Sequence, residues 1–532
     1  MELISTVPQV GAVPFGLMTK VQWLPAAMTS AAPVAWSGLL APWFPDTDQT
    51  SRTPSPYGTA TDSFKPFPSR ASCPVTRPDF PTPSFANLHD RFPALSYGAR
   101  LATVLDCLAC RSAALKLQGY IPFLQLSRPA FSSRLTMGPP SEAKNQLLPP
   151  LPLPPGITSR VTQNTAAGLD IHILEAGYDP SRTKPLILLL HGFPELAYSW
   201  RKVMLPLSSA GYYVVAPDQR GYGRTTGWDT SGYASVDLGQ FSMTRLVTDM
   251  IVLVSALGYT KVRCVVGHDF GAVSASMCAL MRPDVFESTL LMSHPYKPPA
   301  PLPFNIAHDE SQSHQDQDTI VGRDVQGDLA KLSPPRKHYK WYNSTSNAAR
   351  EWDNPPQGMS EFLRGYYHLK SADWSKNEPR PLKEWSAEEL AKMPEYYVMP
   401  RDKSMPEVVS TNMAGEDAKA TERWLPEEEL QIYVDEWSRT KFQGGLNWYR
   451  SQTDPKRREL DLFAGRKIDV PSKFVSGKAD WGNYQQPGVI EKLPESCSDF
   501  RGAVFLDGAG HWPQQEQPTR VAEEILKFVT GL

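Results

Sequence analysis

The sequence predicts an α/β fold with a mostly parallel central sheet flanked by helices. Two observations predict it. Short, mostly apolar runs recur between residues 185 and 292, as strands buried on both faces do. Helical stretches separate these runs, and strand alternating with helix builds a parallel sheet covered on both sides. A third consideration locates the chemistry: in such sheets it lies beyond the carboxyl ends of the strands, so the residues after each run carry the most information.

In chain order, residues 169–175 (LDIHILE) alternate apolar and polar side chains, as a half-buried strand does. Residues 185–190 (PLILLL), 212–216 (YYVVA) and 262–266 (VRCVV) read as buried strands, with 288–292 a fourth. Residues 242–257 and 272–281 read as helices. Near the C-terminus, 472–476 and 503–506 (AVFL) are the last strands and 518–532 the terminal helix.

The 532 residues are 41% hydrophobic and 21% charged, which allows a large core and excludes a wholly disordered or fibrous chain. A net charge of −2 is too little to grip a phosphate backbone, so no nucleic-acid partner is expected. Proline, 51 residues in all, is concentrated before residue 156, in stretches such as 66–83 and 147–155 (LLPPLPLPP). Such runs favour extended conformations, so 1–150 is expected to be a proline-rich, mostly disordered extension. Residues 94–118 are Leu/Ala-rich and helix-compatible, but Arg100, Asp106, Arg111 and Lys116 exclude a membrane span. No basic start followed by an apolar stretch and a cleavage site opens the chain, which predicts a cytoplasmic protein. The six cysteines are scattered, as expected for a reducing compartment. Cys107-x-x-Cys110 lacks a second pair and a nearby His, and is read as coincidence rather than a metal site.

After the 262–266 run comes Gly267-His268-Asp269-Phe270-Gly271, then a helical stretch. This matches the nucleophile-elbow pattern G-x-S-x-G with Asp in place of Ser. Small neighbours let strand and helix approach closely, and the sharp turn lifts Asp269 to the positive end of the helix. The alternative is an Asp that merely caps that helix. The two remaining partners follow in the order acid, then His. Asp480 lies in Gly477-Lys478-Ala479-Asp480-Trp481-Gly482 after the penultimate strand, and His511 lies in Gly508-Ala509-Gly510-His511-Trp512 after the last. Asp507 competes for the acid role but, four residues before His511, is read as shaping the turn.

Those motifs stand in order with His191-Gly192-Phe193-Pro194-Glu195, Tyr198-Ser199-Trp200-Arg201, Asp218-Gln219-Arg220-Gly221-Tyr222-Gly223 and Leu446-Asn447-Trp448-Tyr449-Arg450. From near Gly156 to the C-terminus the chain resembles the α/β-hydrolase-fold epoxide hydrolases of the soluble and microbial type. The resemblance implies an α/β-hydrolase core in two parts, 156–296 and 457–532, with a helical cap inserted at 297–456. It implies an oxyanion hole from the backbone N–H groups of Phe193 and Phe270. On its own, the first of these would be read as a plain turn. Many relatives have Trp where this chain has Phe270, but any residue except Pro supplies the amide. Asp480 stands one position later than in some relatives. The resemblance also implies two cap tyrosines as proton donors: Tyr449, and one from the stretch 338–342, where Tyr339 is favoured over Tyr342. Tyr366 and Tyr367 are read as packing residues.

The implied reaction converts a small-molecule epoxide and water to a vicinal diol through an Asp269 alkyl ester, with no metal or organic cofactor. Two rivals share the scaffold. A haloalkane- or haloacid-type dehalogenase needs halide-binding donors, often a Trp directly after the nucleophile, which Phe270 does not provide. A non-catalytic ligand receptor tolerates loss of Asp269, Asp480 or His511, yet all three are present.

Overall fold

The computed structural model describes residues 148–164, 166–302, 324–456 and 458–532. The readings made for residues 1–147, including the disordered extension, the 94–118 helix and Cys107-x-x-Cys110, lie outside the described residues. The strands are β1 (Ile157–Asn164), β2 (Leu169–Ala176), β3 (Leu186–Leu190), β4 (Tyr213–Pro217), β5 (Cys264–His268) and β6 (Thr289–Met292), then β7 (Arg336–His338), β8 (Val398–Pro400), β9 (Ile468–Gly477) and β10 (Cys497–Leu506). Eight of them form one sheet in the order β1-β2-β4-β3-β5-β6-β9-β10, while β7 and β8 make a separate ribbon. β1 with β2 and β2 with β4 pair antiparallel; from β4 to β10 every pairing is parallel.

The apolar runs are explained by cover on both faces. Leu186, Leu188 and Leu190 of β3 face the helices Met243–Ala256 and Phe270–Met281, in one core. Ile187 and Leu189 face the helices Arg201–Ser209 and Pro518–Thr530, in another. A strand between two helical layers needs apolar residues at both parities.

β2 departs from its half-buried expectation: only Asp170 is exposed. Its polar residues are buried in pairs instead. His172 Nδ1 lies 2.7 Å from Asp218 Oδ2, and Arg160 Nε donates to Glu175 Oε1 at 2.7 Å. Buried polar groups are tolerated when they are paired in this way.

Between β6 and β9 the described chain is mainly helical. It rests on the turns that follow β3, β4 and β10. Trp437 Nε1 donates to Pro194 O at 2.8 Å, Trp448 Nε1 to Arg220 O at 2.9 Å, and Trp512 Nε1 to Tyr367 O at 3.0 Å. At one point the backbones nearly touch: a Cβ on Gly444 would stand 2.3 Å from Gly221 O. Only glycine permits that approach. Among the described residues no helix is long and apolar enough to cross a membrane.

Candidate active site

The turn after β5 is tight enough to dictate its glycines. A Cβ on Gly267 would lie 2.1 Å from Gly271 O, and one on Gly271 would lie 2.2 Å from Leu190 O. Between them Asp269 takes a positive φ of 53°, a strained conformation for a non-glycine residue. Asp269 occupies the N-cap position of the helix Phe270–Met281, but its side chain makes no capping bond. Oδ1 instead accepts the Phe193 N–H at 3.0 Å, and Oδ2 lies 3.2 Å from His511 Nε2. The Phe270 amide is the first of the helix, and such amides have no intrahelical partner.

His511 Nδ1 lies 3.1 Å from both oxygens of Asp480. Asp480 also accepts the Gly482 N–H at 2.6 Å and the Ser476 hydroxyl at 3.3 Å. Asp507 is exposed and pairs with Lys478. The loop carrying His511 is clamped from two sides. The His511 N–H donates to Lys370 O at 2.8 Å, and the Glu516 carboxylate accepts the N–H groups of Gly510, Trp512 and Ala372.

A small pocket opens over Asp269, lined by Phe270, Val273, His294, Tyr339, Lys340, Tyr449 and Gln452. The Tyr339 and Tyr449 rings lie 5.9 Å apart, and Tyr449 packs edge-on against Phe193 and Phe270. Tyr342 is engaged elsewhere: its hydroxyl donates to Glu351 at 2.8 Å and accepts the Met405 N–H at 3.1 Å. Tyr367 donates to Pro194 O. Among the described residues no group of three or more His, Cys, Asp or Glu side chains could hold a metal ion.

This geometry meets the comparisons with known proteins. A model of the alpha/beta hydrolase family matches residues 187–428. Epoxide hydrolase A of Mycobacterium tuberculosis is 30% identical over 374 residues, spanning 69% of this chain and 95% of the relative. The chain belongs to the α/β-hydrolase-fold epoxide hydrolase family. An epoxide hydrolase of Caballeronia sordidicola is 27% identical, over 68% of this chain and 91% of its own. Among solved structures, an epoxide hydrolase from an endophytic Streptomyces is similar with a TM-score of 0.56 and 28% identity, over 71% of this chain and 96% of that one. Epoxide hydrolase A from Mycobacterium thermoresistibile has a TM-score of 0.52 and 30% identity, over 71% and 99%.

The electrostatics of this family member follow from burial, two carboxylates and the positive charges beside them. Burial works against an ionised Asp269, but the hydrogen bond and charge of His511, with Lys370 and His268 behind, hold its carboxyl far below the usual range. Asp480 is lowered despite burial by the His511 charge and hydrogen bond. Burial and the Lys370 ammonium push His511 down, yet Asp480 and the hydrogen bond to Asp269 outweigh them and its pKa is raised. Burial, followed by neighbouring negative charge including Asp269, holds Tyr339 and Tyr449 well above the ordinary phenol range, so both hydroxyls stay protonated.

Sequence reasoning assigned no role to two groups that support this site. His268 Nδ1 lies 2.6 Å from Glu195 Oε2, and its Nε2 lies 2.6 Å from His511 O. A carbonyl only accepts, so Nε2 carries the hydrogen. Gln514 and Gln515 donate to the same Glu195 carboxylate. The available signal was that His268 and Glu195 sit inside the turns after β5 and β3. The other group is Lys370, whose ammonium lies 5.0–5.3 Å from the ring centres of Tyr366, Tyr397 and Trp512. Nothing in its sequence neighbourhood marks it as buried.

Proposed function

We propose that this protein opens an epoxide to a vicinal diol in two steps at Asp269, with residues 297–456 acting as a cap over a core built from 156–296 and 457–532. One observation carries the reading: an ionised carboxylate shares a small pocket with two protonated tyrosines. A carboxylate suits attack on an sp³ carbon, and a departing alkoxide needs a proton donor.

In the first step Asp269 attacks a ring carbon of the oxirane. The carbon–oxygen bond breaks, and Tyr339 and Tyr449 share the new alkoxide and supply its proton. In the second step His511, oriented by Asp480, takes a proton from water. The hydroxide attacks the Asp269 ester carbonyl, and the amides of Phe193 and Phe270 hold the oxyanion. As that intermediate collapses, the His511 imidazolium protonates the departing alkoxide and frees the diol, and the new carboxylic acid of Asp269 gives its proton back to the tyrosinate, which restores carboxylate, imidazole and phenol. The first step also prepares the second. Esterification removes the Asp269 charge, one of the groups that holds the His511 pKa up. Burial and Lys370 then favour the neutral imidazole, which is the form that acts as a base.

The test is a panel of styrene-oxide-like, aliphatic and fatty-acid epoxides beside haloalkanes, scored for diol against halide. His511→Gln should still alkylate and should trap an adduct of substrate mass on the Asp269 peptide. Halide release without diol, or no adduct in that variant, would replace this reading.

A further inference from the structure

The proposed mechanism uses Asp269, Phe270, Tyr339 and Tyr449 of the residues lining the pocket and leaves three polar lining residues unexplained: His294, Lys340 and Gln452. Lys340 is the informative member. It is partly buried, and its ammonium has no hydrogen-bond or ion-pair partner among the described residues. The charge that favours its protonated form is Asp269, which lines the same small pocket, while Lys297 adds a second positive charge nearby. His294 cannot serve as a counter-ion. Burial and the Lys340 charge push it down to about 4, so it is neutral at physiological pH, and Nδ1 faces Pro295 O at 3.2 Å.

An ammonium facing a confined pocket needs an anion or water to compensate its desolvation. Asp269 fills that role only in the resting protein. Once it becomes an ester, its charge is gone and Lys340 faces the pocket uncompensated. A neutral substrate would leave it so throughout the lifetime of the intermediate. A substrate that brings its own carboxylate would keep the pocket charge-balanced through both steps.

Resting on the epoxide hydrolase reading above, we infer that Lys340 is a specificity-determining residue for epoxides carrying a carboxylate, held by a charge-assisted hydrogen bond. The size of the cavity limits the spacing. Asp269 and Lys340 line one small pocket, so the carboxylate sits within a few bonds of the oxirane ring. Gln452 is exposed and lines the same pocket, where its amide can donate to the second carboxylate oxygen.

The experiment compares a small oxirane carboxylate with its primary amide, which has nearly the same shape and no charge. Diol formation is measured for the wild-type chain and for Lys340→Met, Lys340→Arg and Lys340→Glu. The wild type should favour the carboxylate in kcat/KM by about 10- to 100-fold, mainly through KM, which is the scale of one charge-assisted hydrogen bond. Lys340→Met should bring the ratio toward one, Lys340→Arg should keep a preference for the acid, and Lys340→Glu should reverse it. A wild type that handles the amide as well as the acid overturns the inference. So does a Lys340→Met variant that keeps the full preference. If the wild type forms diol from neither compound nor from any neutral epoxide, the epoxide hydrolase reading itself fails, an outcome distinct from a lost preference.

Discussion

Lowering the pH should stop the second step before the first. In the proposed scheme alkylation needs an ionised Asp269, which is held far below the ordinary value of 3.8 and is a carboxylate throughout the working range. In the same scheme hydrolysis needs a neutral His511, whose pKa lies above the ordinary 6.5 in the resting protein. The ester loses the charged Asp269 partner but keeps Asp480, so the His511 pKa drops toward its ordinary value. The neutral fraction therefore falls as the pH drops below that pKa, and hydrolysis slows by up to about tenfold per pH unit. The sign is set by the base: protonation below its pKa removes the lone pair that accepts the proton of water. Rapid-quench single turnovers at pH 7.5 and 5.0, with the ester quantified by intact mass, measure both steps. Alkylation should change by less than about threefold, while ester accumulates at the lower pH. Lys370→Met provides a second arm. It removes a positive charge that pushes His511 down, so the acid limb of hydrolysis should move to higher pH. If both steps fall together at pH 5 with no ester accumulating, or if the Lys370→Met limb moves to lower pH, the proposed division of roles is wrong.

Tyr449→Phe and Tyr339→Phe should each slow alkylation by about 10²–10⁴-fold with little change in melting temperature, and the double variant should be nearly inactive; unchanged single-turnover rates in both would remove the tyrosines from the reaction. Tyr342→Phe should leave alkylation intact and cost about 1 kcal/mol in urea unfolding, because its hydroxyl bonds only Glu351 and Met405. Gly271→Ala should cost about 3 kcal/mol or more, since its Cβ would meet the Leu190 carbonyl and force β3 away from the helix; a normal melting curve would contradict the close approach. Trp352→Ala should cost about 3–5 kcal/mol, because that fully buried ring packs against Phe193, Phe362, Tyr366 and Phe442.

Legibility tracked how local each determinant is. β3, β4 and β5 were readable because a strand covered on both faces must be apolar at every position, a signal contained in five residues. β1 (ITSRVTQN) was not read: at the sheet edge its residues are mostly polar, and its pairing with β2 is its structural reason. β10 was read only over its apolar end. Its first half carries Asp499, Arg501 and Gly502 and two register irregularities against β9, so no alternation marks it. The alternation in β2 pointed to solvent on one face because sequence cannot show that His172 and Glu175 find buried partners.

The same reasoning separates the parts of the site. Asp269, Asp480 and His511 each stand just beyond a strand, so the order of the strands in the sheet brings their turns together, and chain position was enough to nominate them. The tyrosines depend instead on how separate helices pack over those turns. Tyr339 and Tyr342 are three residues apart, close to one helical turn, and share one face of a short helix, so helical pattern does not separate them and only the family resemblance favours Tyr339. What separates them is tertiary: Glu351 and Met405 occupy one hydroxyl, and the pocket over Asp269 receives the other residue. Tyr449 reaches that pocket because its helix starts at the Gly444–Gly221 contact, where the missing side chains allow the helix to sit on the turn after β4. A larger residue at either glycine would lift that helix, and Tyr449 with it, away from Asp269. The proposed proton donor is therefore placed by two residues that take no part in the chemistry.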